Sequence, residues 1–381
     1  MNLDQFLAKK PLYYDVIDYG RFPGAYESLR PFLTLPKIIH IVGTNGKGST
    51  GRFLSRALQR TGKKVGHYTS PHILRFNERI WIDGEEISDI LLETSHQKLL
   101  SVMDSAIAES LSYFEYTTLV AMIAYEGCEY VVLEAGLGGE YDATNVFDKI
   151  LSVFTPIDFD HSTFLGNTIN SIASTKLRSM EHTALLGKQK HPEVETIAEA
   201  IAEEKGCRLH RVVEITNPED QNLALQLALK NGLSDYLRDN LELAMAAYTL
   251  LGYEVKEDMF DQEALFGRLT KIAPNVTLDV GHNALAAAAI AEAYAGKKVT
   301  LVYNTYRDKD YGEILSILSP IIESVEIIDV NENRIVQREF LEKALNDLAI
   351  PYRGFEAIEQ EKEYLVFGSF SVAEAFLKRV K

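Results

Sequence analysis

The stretch Ile38-Ile39-His40-Ile41-Val42-Gly43-Thr44-Asn45-Gly46-Lys47-Gly48-Ser49-Thr50 constrains the fold more than any other part of the chain. Its apolar, β-branched first half reads as a strand buried on both faces, the kind found in parallel sheets covered by helices. Glycines end the strand, and a helical pattern runs from Gly51 to Arg60 until Gly62 stops it. Strand, glycine-rich loop and helix together make a phosphate cradle. Glycines let backbone N–H groups approach an anion, and the helix N-terminus adds positive potential. Thr44, Asn45, Gly46, Lys47, Gly48, Ser49 and Thr50 are therefore the candidate nucleotide-phosphate set, with Lys47 reaching the outer phosphates and Ser49 or Thr50 facing a magnesium ion. The spacing departs from the general phosphate-loop pattern. Ile41 stands where the first glycine is usual, and Gly48 follows Lys47 where a Ser or Thr is usual.

At 381 residues the chain exceeds the usual size of a single core, so two domains are expected. A net charge of −16 argues against nucleic acid or an anionic membrane as partner, so an anionic substrate must be met by locally placed cations. Cys128 and Cys207 are too far apart in sequence to suggest a disulfide framework or a structural zinc site. No apolar run reaches the roughly 20 residues that span a bilayer, and Met1–Lys10 does not read as a secretory leader. The expected address is the cytosol.

Further along, Tyr13, Tyr14, Tyr19, Phe22 and Tyr26 can stack on a flat ligand, although packing of a lead-in segment is the favoured reading. Lys64–Tyr68 reads as a second strand, and Pro71 turns the chain after Ser70. Residues 86–110 read as an amphipathic helix with Ile87, Ile90, Leu91, Leu99 and Val102 on its apolar side. Ser112-Tyr113-Phe114-Glu115-Tyr116 opens another helix, and its aromatics suit either a flat-ring pocket or a capped core. Glu129–Glu134 and Ile150–Thr155 are buried strands whose carboxyl ends deliver Glu134 and, a few residues on, Asp160-His161 to the side of the sheet where ligands bind. Thr168 or Asn167 caps a helix in which Ile169, Ile172, Ala173 and Lys176 share one face. Residues 190–235 read as peripheral, with an acidic helix near Glu193–Gly206, short strands and then a connector, and Arg238-Asp239-Asn240 opens the helix Leu241–Leu251. From Val276 a new series of β/α units begins, with Asp279, His282 and Asn283 at the end of its first strand.

Five motifs, Gly43–Ser49, Ser70-Pro71, Glu134-x-Gly-x-Gly-Gly, Asp160-His161 and Asp279-x-x-His-Asn, occur in an order that resembles the folylpolyglutamate synthase/dihydrofolate synthase family of the Mur ligase superfamily. The resemblance implies an α/β fold: a P-loop-containing doubly wound N-terminal domain (1–265), a linker (266–275), and a smaller Rossmann-like C-terminal domain (276–381). It also implies an ATP-dependent ligase that adds L-glutamate to dihydropteroate, to the γ-carboxylate of reduced folates, or to both, through an acyl phosphate. Lys47, Lys176, Asp279 and His282 are then catalytic, and Asn240, Arg268 and Asp279 join the loop in binding ATP, Arg268 from between the domains. Tyr113, Phe114, Glu115, Tyr116, Tyr141, Asp142 and Ala143 bind the folate, and Ser70, Glu134, His161 and Lys176 bind metal. Two magnesium ions are implied, one held through a carbamate on Lys176. The partners implied are small molecules, with no nucleic acid and no membrane, acting on a monomer. Glu140 stands where the family has Arg, and Thr175, Leu177 and Arg178 depart from its usual flanks around the lysine. Two rivals remain: a sister ligase for a different acid, against which the short stretch before residue 38 counts, and a regulatory nucleotide-binding module.

Overall fold

The computed structural model describes residues 1–11 and 18–380, so Tyr13 and Tyr14 lie outside the described residues. The chain forms two compact units, one of Met1–Asn231 and Leu237–Gln262, the other of Gly232–Tyr236 and Glu263–Lys381.

The first unit is built on an eight-stranded sheet in the order β4-β3-β2-β5-β1-β6-β7-β8. Its strands are β1 (Lys37–Val42), β2 (Val65–Tyr68), β3 (Ile80–Ile82), β4 (Glu85–Glu86), β5 (Tyr130–Glu134), β6 (Leu151–Phe154), β7 (Thr183–Leu186) and β8 (Arg208–Arg211). From β2 to β8 the pairing is parallel, and β3 and β4 add an antiparallel edge. Val, Ile and Leu fill the central strands because helices cover them and no polar alternation is needed. One apolar cluster packs Ile38, Tyr68, Val131 and Leu133 against the helices Asp89–Val102 and Tyr113–Ala124. Another packs Phe154, Ala184 and Leu186 against Ile169–Leu177 and Pro192–Lys205. Because the central strands are parallel, the loops after β1, β2, β5 and β6 all leave from one edge of the sheet. That edge carries Gly43–Lys47, Ser70, Glu134 and Asp158–His161.

The second unit has a six-stranded sheet in the order β13-β12-β11-β14-β10-β9. Its strands are β9 (Thr270–Ala273), β10 (Val276–Leu278), β11 (Val299–Tyr303), β12 (Ile322–Ile327), β13 (Tyr352–Gly354) and β14 (Tyr364–Phe367). All are parallel except β9, which runs antiparallel to β10. Leu301, Val325 and Leu365 pack at its core with Leu315 and Leu341 from two covering helices.

Several local expectations need correction. The cradle helix spans Lys47–Arg60 and starts at the lysine, not at Gly51. Residues 86–110 form two helices, Asp89–Val102 and Ser105–Ser110, each begun by its own cap, Ser88 and Asp104. Ile90 is 81% and Leu91 41% exposed, so neither lies on the buried side. The buried stripe is Leu92, Ser95, His96 and Leu99, spaced 0, 3, 4 and 7. Its two polar members are satisfied in place: Ser95 Oγ donates to Leu91 O, and His96 Nδ1 bonds the Tyr116 hydroxyl. The stretch 266–275 contains β9 and so belongs to the second sheet. Within residues 190–235 the acidic helix (Pro192–Lys205) and a short edge strand (β8) are found as expected, and only the expected connector differs, because it holds a 14-residue helix, Pro218–Asn231. Strands β7 and β13 are not signalled by the sequence.

Candidate active site

The loop after β1 folds its lysine back on itself. Lys47 Nζ donates to Gly43 O (3.2 Å) and Thr44 O (3.1 Å) and lies 4.0 Å from Glu134 Oε1. Gly46, at φ +89°, occupies the left-handed region, and a Cβ there would sit 2.4 Å from Asn240 Oδ1. Glycine is required twice over, once by the backbone and once by the buried Asn240 amide pressed against the loop. Thr44 ties the loop to the one after β6: its Oγ1 donates to Asp158 O and accepts from Asp158 N, both at 3.0 Å.

Lys176 arrives from the helix Ile169–Leu177 and is buried. Its Nζ donates to Gly43 O at 2.9 Å, so one carbonyl receives both Lys47 and Lys176. Burial, reinforced by the Lys47 ammonium, pulls the Lys176 amine from 10.5 down to about 7, against the opposing pull of Asp160 and Asp142. The loop after β5 rests on this helix. Glu140 N donates to Thr175 O, and a Cβ at Gly139 would lie 2.6 Å from Lys176 O.

Glu134 is buried at the end of β5, where it accepts from Ser70 N at 3.3 Å. The Ser70–Pro71 peptide is cis. His161, left-handed at φ +52°, precedes the short helix Ser162–Leu165, and its Nε2 lies 3.9 Å from Asp160 Oδ2. Among the described residues no three His, Cys, Asp or Glu side chains group as a metal site. A hard ion such as magnesium takes oxygen ligands, keeps several waters and shares substrate phosphates. The hydroxyls of Ser49 and Thr50 are buried without a hydrogen-bond partner, and the Glu134 carboxylate is buried beside Ser70. These residues fit a magnesium ion.

The expected flat-ring segments divide. Ser112 caps the helix Tyr113–Ala124 in a box with Glu115. The Glu115 carboxylate also receives Arg21, from Nε at 3.2 Å and Nη2 at 3.0 Å. Tyr113 lies under the Arg79 guanidinium, and Phe114 presses on Gly136. Tyr116 is a correction. At 0% exposure, with its hydroxyl on His96 and its ring 4.5 Å from Phe6, it is a core residue with no face for a ligand. Asp142 and Ala143 are buried, Asp142 accepting from Leu137 N and from Thr144 N and Oγ1. Burial pushes the Asp142 carboxyl up, and those hydrogen bonds pull it back in part. Tyr141 is 61% exposed and pairs with Tyr19, 56% exposed, at 4.3 Å between rings. Tyr19 thus meets the flat-ring segment, while Phe22 and Tyr26 are buried as packing residues. Arg21 carried no sequence signal, because its partner lies 94 residues away.

In the second unit, Asp279 is buried at the end of β10 with its carboxylate already engaged. Oδ2 accepts from Leu269 N (2.9 Å) and the Tyr236 hydroxyl (3.0 Å), and Oδ1 from Gly281 N (2.7 Å). His282 Nδ1 donates to Val280 O at 3.2 Å. Arg268 sits in the turn before β9, its guanidinium 5.4 Å from the Phe370 ring.

No family model matches the chain. The chain is 30% identical over 370 residues to the dihydrofolate synthase/folylpolyglutamate synthase of Haemophilus influenzae, covering 85% of this chain and 84% of that protein. The chain belongs to the dihydrofolate synthase/folylpolyglutamate synthase family. Among solved structures of the family, it is 40% identical to Helicobacter pylori folylpolyglutamate synthetase, with a TM-score of 0.81 over 99% of this chain and 97% of that one. It is 27% identical to Escherichia coli FolC in complex with DHPP and ADP, with a TM-score of 0.83 over 99% and 97%. The two-sheet α/β architecture is that of these family members. No helix among the described residues is long and apolar enough to cross a membrane.

Proposed function

We propose that this chain is an ATP-dependent ligase that forms an amide between the amino group of L-glutamate and a carboxylate of dihydropteroate, of reduced folates, or of both. A carboxylate is a poor electrophile in water. Transfer of the γ-phosphoryl group of ATP to a carboxylate oxygen releases ADP and gives an acyl phosphate. The glutamate amine then attacks the acyl carbon, the new C–N bond forms, and inorganic phosphate leaves as the amine loses a proton. Phosphoryl transfer is helped mainly by positioning and charge neutralisation.

Thr44–Thr50 cradle the phosphates, and Lys47 leaves its carbonyl partners to meet their charge. Asn240 shapes the loop from behind Gly46 and contacts the nucleotide, and Arg268 adds a second cation on the phosphates. Tyr113, Phe114, Glu115, Tyr141, Asp142 and Ala143 shape the folate pocket, with Arg21 orienting Glu115. His282 and Asp279 serve the nucleotide and the incoming amino acid, Asp279 by holding the Arg268 turn through Leu269 N. Ser70, Glu134 and His161, with a hydroxyl of Ser49 or Thr50, would hold a magnesium ion, and a carbamate on Lys176 would hold a second; the ions would supply neutralisation of phosphate charge. The enzyme works in the cytosol as a monomer.

The observation that carries this reading is the Gly43 carbonyl shared by Lys47 and a buried, easily deprotonated Lys176, beside Glu134. Lys47→Ala tests it. Turnover should fall at least a hundredfold while the fold persists, because the Lys47 ammonium bonds within its own loop. Near-normal ATP turnover in this variant refutes the cradle assignment.

A further inference from the structure

We infer that Tyr236 is a positioning residue for the phosphate arginine, acting through Asp279 on the turn that carries Arg268. The inference rests on the proposed role of Arg268. Tyr236 is the second residue of the helix Asp235–Leu250 and clusters with the second unit, whereas the helix continues into the first. Its hydroxyl donates to Asp279 Oδ2 at 3.0 Å. The same oxygen accepts from Leu269 N at 2.9 Å.

Leu269 is the critical link. It is a non-glycine residue held at φ +46°, in the left-handed region that branched side chains avoid. Such a conformation persists when its surroundings over-determine it. Here they do. Gly267 N and Arg268 N donate to Thr270 Oγ1 at 2.9 Å and 3.3 Å, Val280 N donates to Gly267 O at 3.0 Å, and Asp279 Oδ2 accepts from Leu269 N. The left-handed residue directly after Arg268 sets the direction in which its side chain leaves the turn, across the Phe370 ring.

Asp279 can hold Leu269 N well only if its carboxylate is itself fixed. Gly281 N fixes Oδ1 at 2.7 Å, and Tyr236 fixes Oδ2. A hydrogen bond to a charged acceptor is stronger than a neutral one and sets direction as well as distance. Four residues further along the same helix stands Asn240, whose amide bears on Gly46 of the phosphate loop.

The test is a double-mutant cycle on the full-length enzyme, read as phosphate release with saturating acceptor and glutamate and with varied ATP. Loss of a hydrogen bond to a carboxylate corresponds to roughly a tenfold effect. Tyr236→Phe should therefore lower kcat by about tenfold with little change in melting temperature, and Arg268→Ala should lower it further. In the Arg268→Ala background, Tyr236→Phe should have no additional effect beyond twofold. Asp279→Asn, which keeps the side-chain volume but puts a donor opposite donors, should show the same loss of additivity. Full activity of Tyr236→Phe, or a tenfold effect that persists without Arg268, overturns the inference. Wild-type turnover in Arg268→Ala instead overturns the role of the arginine itself, and the inference with it.

Discussion

The buried amine of Lys176 gives the sharpest consequence of the structure. Carbamate formation needs a neutral amine, because the nitrogen lone pair attacks carbon dioxide. With the amine brought down to about 7, roughly 10% of it is neutral at pH 6 and about 90% at pH 8. A lysine at the ordinary 10.5 is about 0.3% neutral at pH 8, so burial enriches the reactive form a few hundredfold. The charged groups facing the amine are Lys47, which pushes it toward the neutral form, and Asp160 and Asp142, which pull the other way. The sign is therefore fixed: carbamate occupancy should be high at pH 8 and fall as pH drops through about 7. Stability follows the same sign before any carbon dioxide is added. Between about 7 and 10.5 the unfolded chain keeps a proton on this amine that the folded chain has shed, so the fold gains stability as pH rises through that window. The assay is carbon-13 NMR of the enzyme in labelled bicarbonate, with activity measured on the same samples. A carbamate resonance that weakens several-fold from pH 8 to pH 6, and is absent in Lys176→Met, is expected. An active enzyme with no such resonance at pH 8, or with occupancy flat across this range, refutes the reasoning.

Two further outcomes follow from the loop after β5. Lys149 is buried, and its Nζ donates to Asn145 O and Oδ1, Ser179 O and Glu181 Oε1, tying that loop to the end of the Lys176 helix. Lys149→Met strands those acceptors at a cost of about 2–4 kcal/mol, which is a melting temperature lower by roughly 5–10 °C; an unchanged melt contradicts the staple. Glu140 anchors the loop through its backbone, N to Thr175 O and O from Asn145 Nδ2, so its side chain is free to change without loss of the turn. Glu140→Arg reverses a charge beside an anionic acceptor and should lower the acceptor KM by about fivefold, an effect of roughly 1 kcal/mol. A KM unchanged within twofold removes Glu140 from the acceptor site.

The parts of the fold that were legible in the sequence have local causes. The β1 run, its glycines and the helix after it are read from composition and period within residues 38–60, and Ser112 announces its helix by a cap. The parts that were not legible depend on long-range partners. The stripe of Asp89–Val102 was mis-phased because Ser95 and His96 are polar by type and become core residues only once Leu91 O and the Tyr116 hydroxyl receive them. Strand β9 lay hidden in a stretch with Gly267 and Pro274, which reads as a linker until β10 pairs with it. The candidate site divides in the same way. The phosphate loop, Glu134 and Lys176 were marked by motif, whereas the filled carboxylate of Asp279 depends on Tyr236, 43 residues upstream. No local pattern signals such a bond.

The most direct test of the proposed activity is phosphate release from ATP with magnesium and L-glutamate, comparing dihydropteroate with tetrahydrofolate as acceptor and detecting the new amide by mass. Release that requires both glutamate and one of these acceptors, with one glutamate added per phosphate, is the predicted result. Dihydropteroate alone would define a dihydrofolate synthase, tetrahydrofolate alone a folylpolyglutamate synthase, and both acceptors a bifunctional enzyme. Release with neither, from protein that still binds ATP, contradicts the proposed function and points to a ligase for another acid.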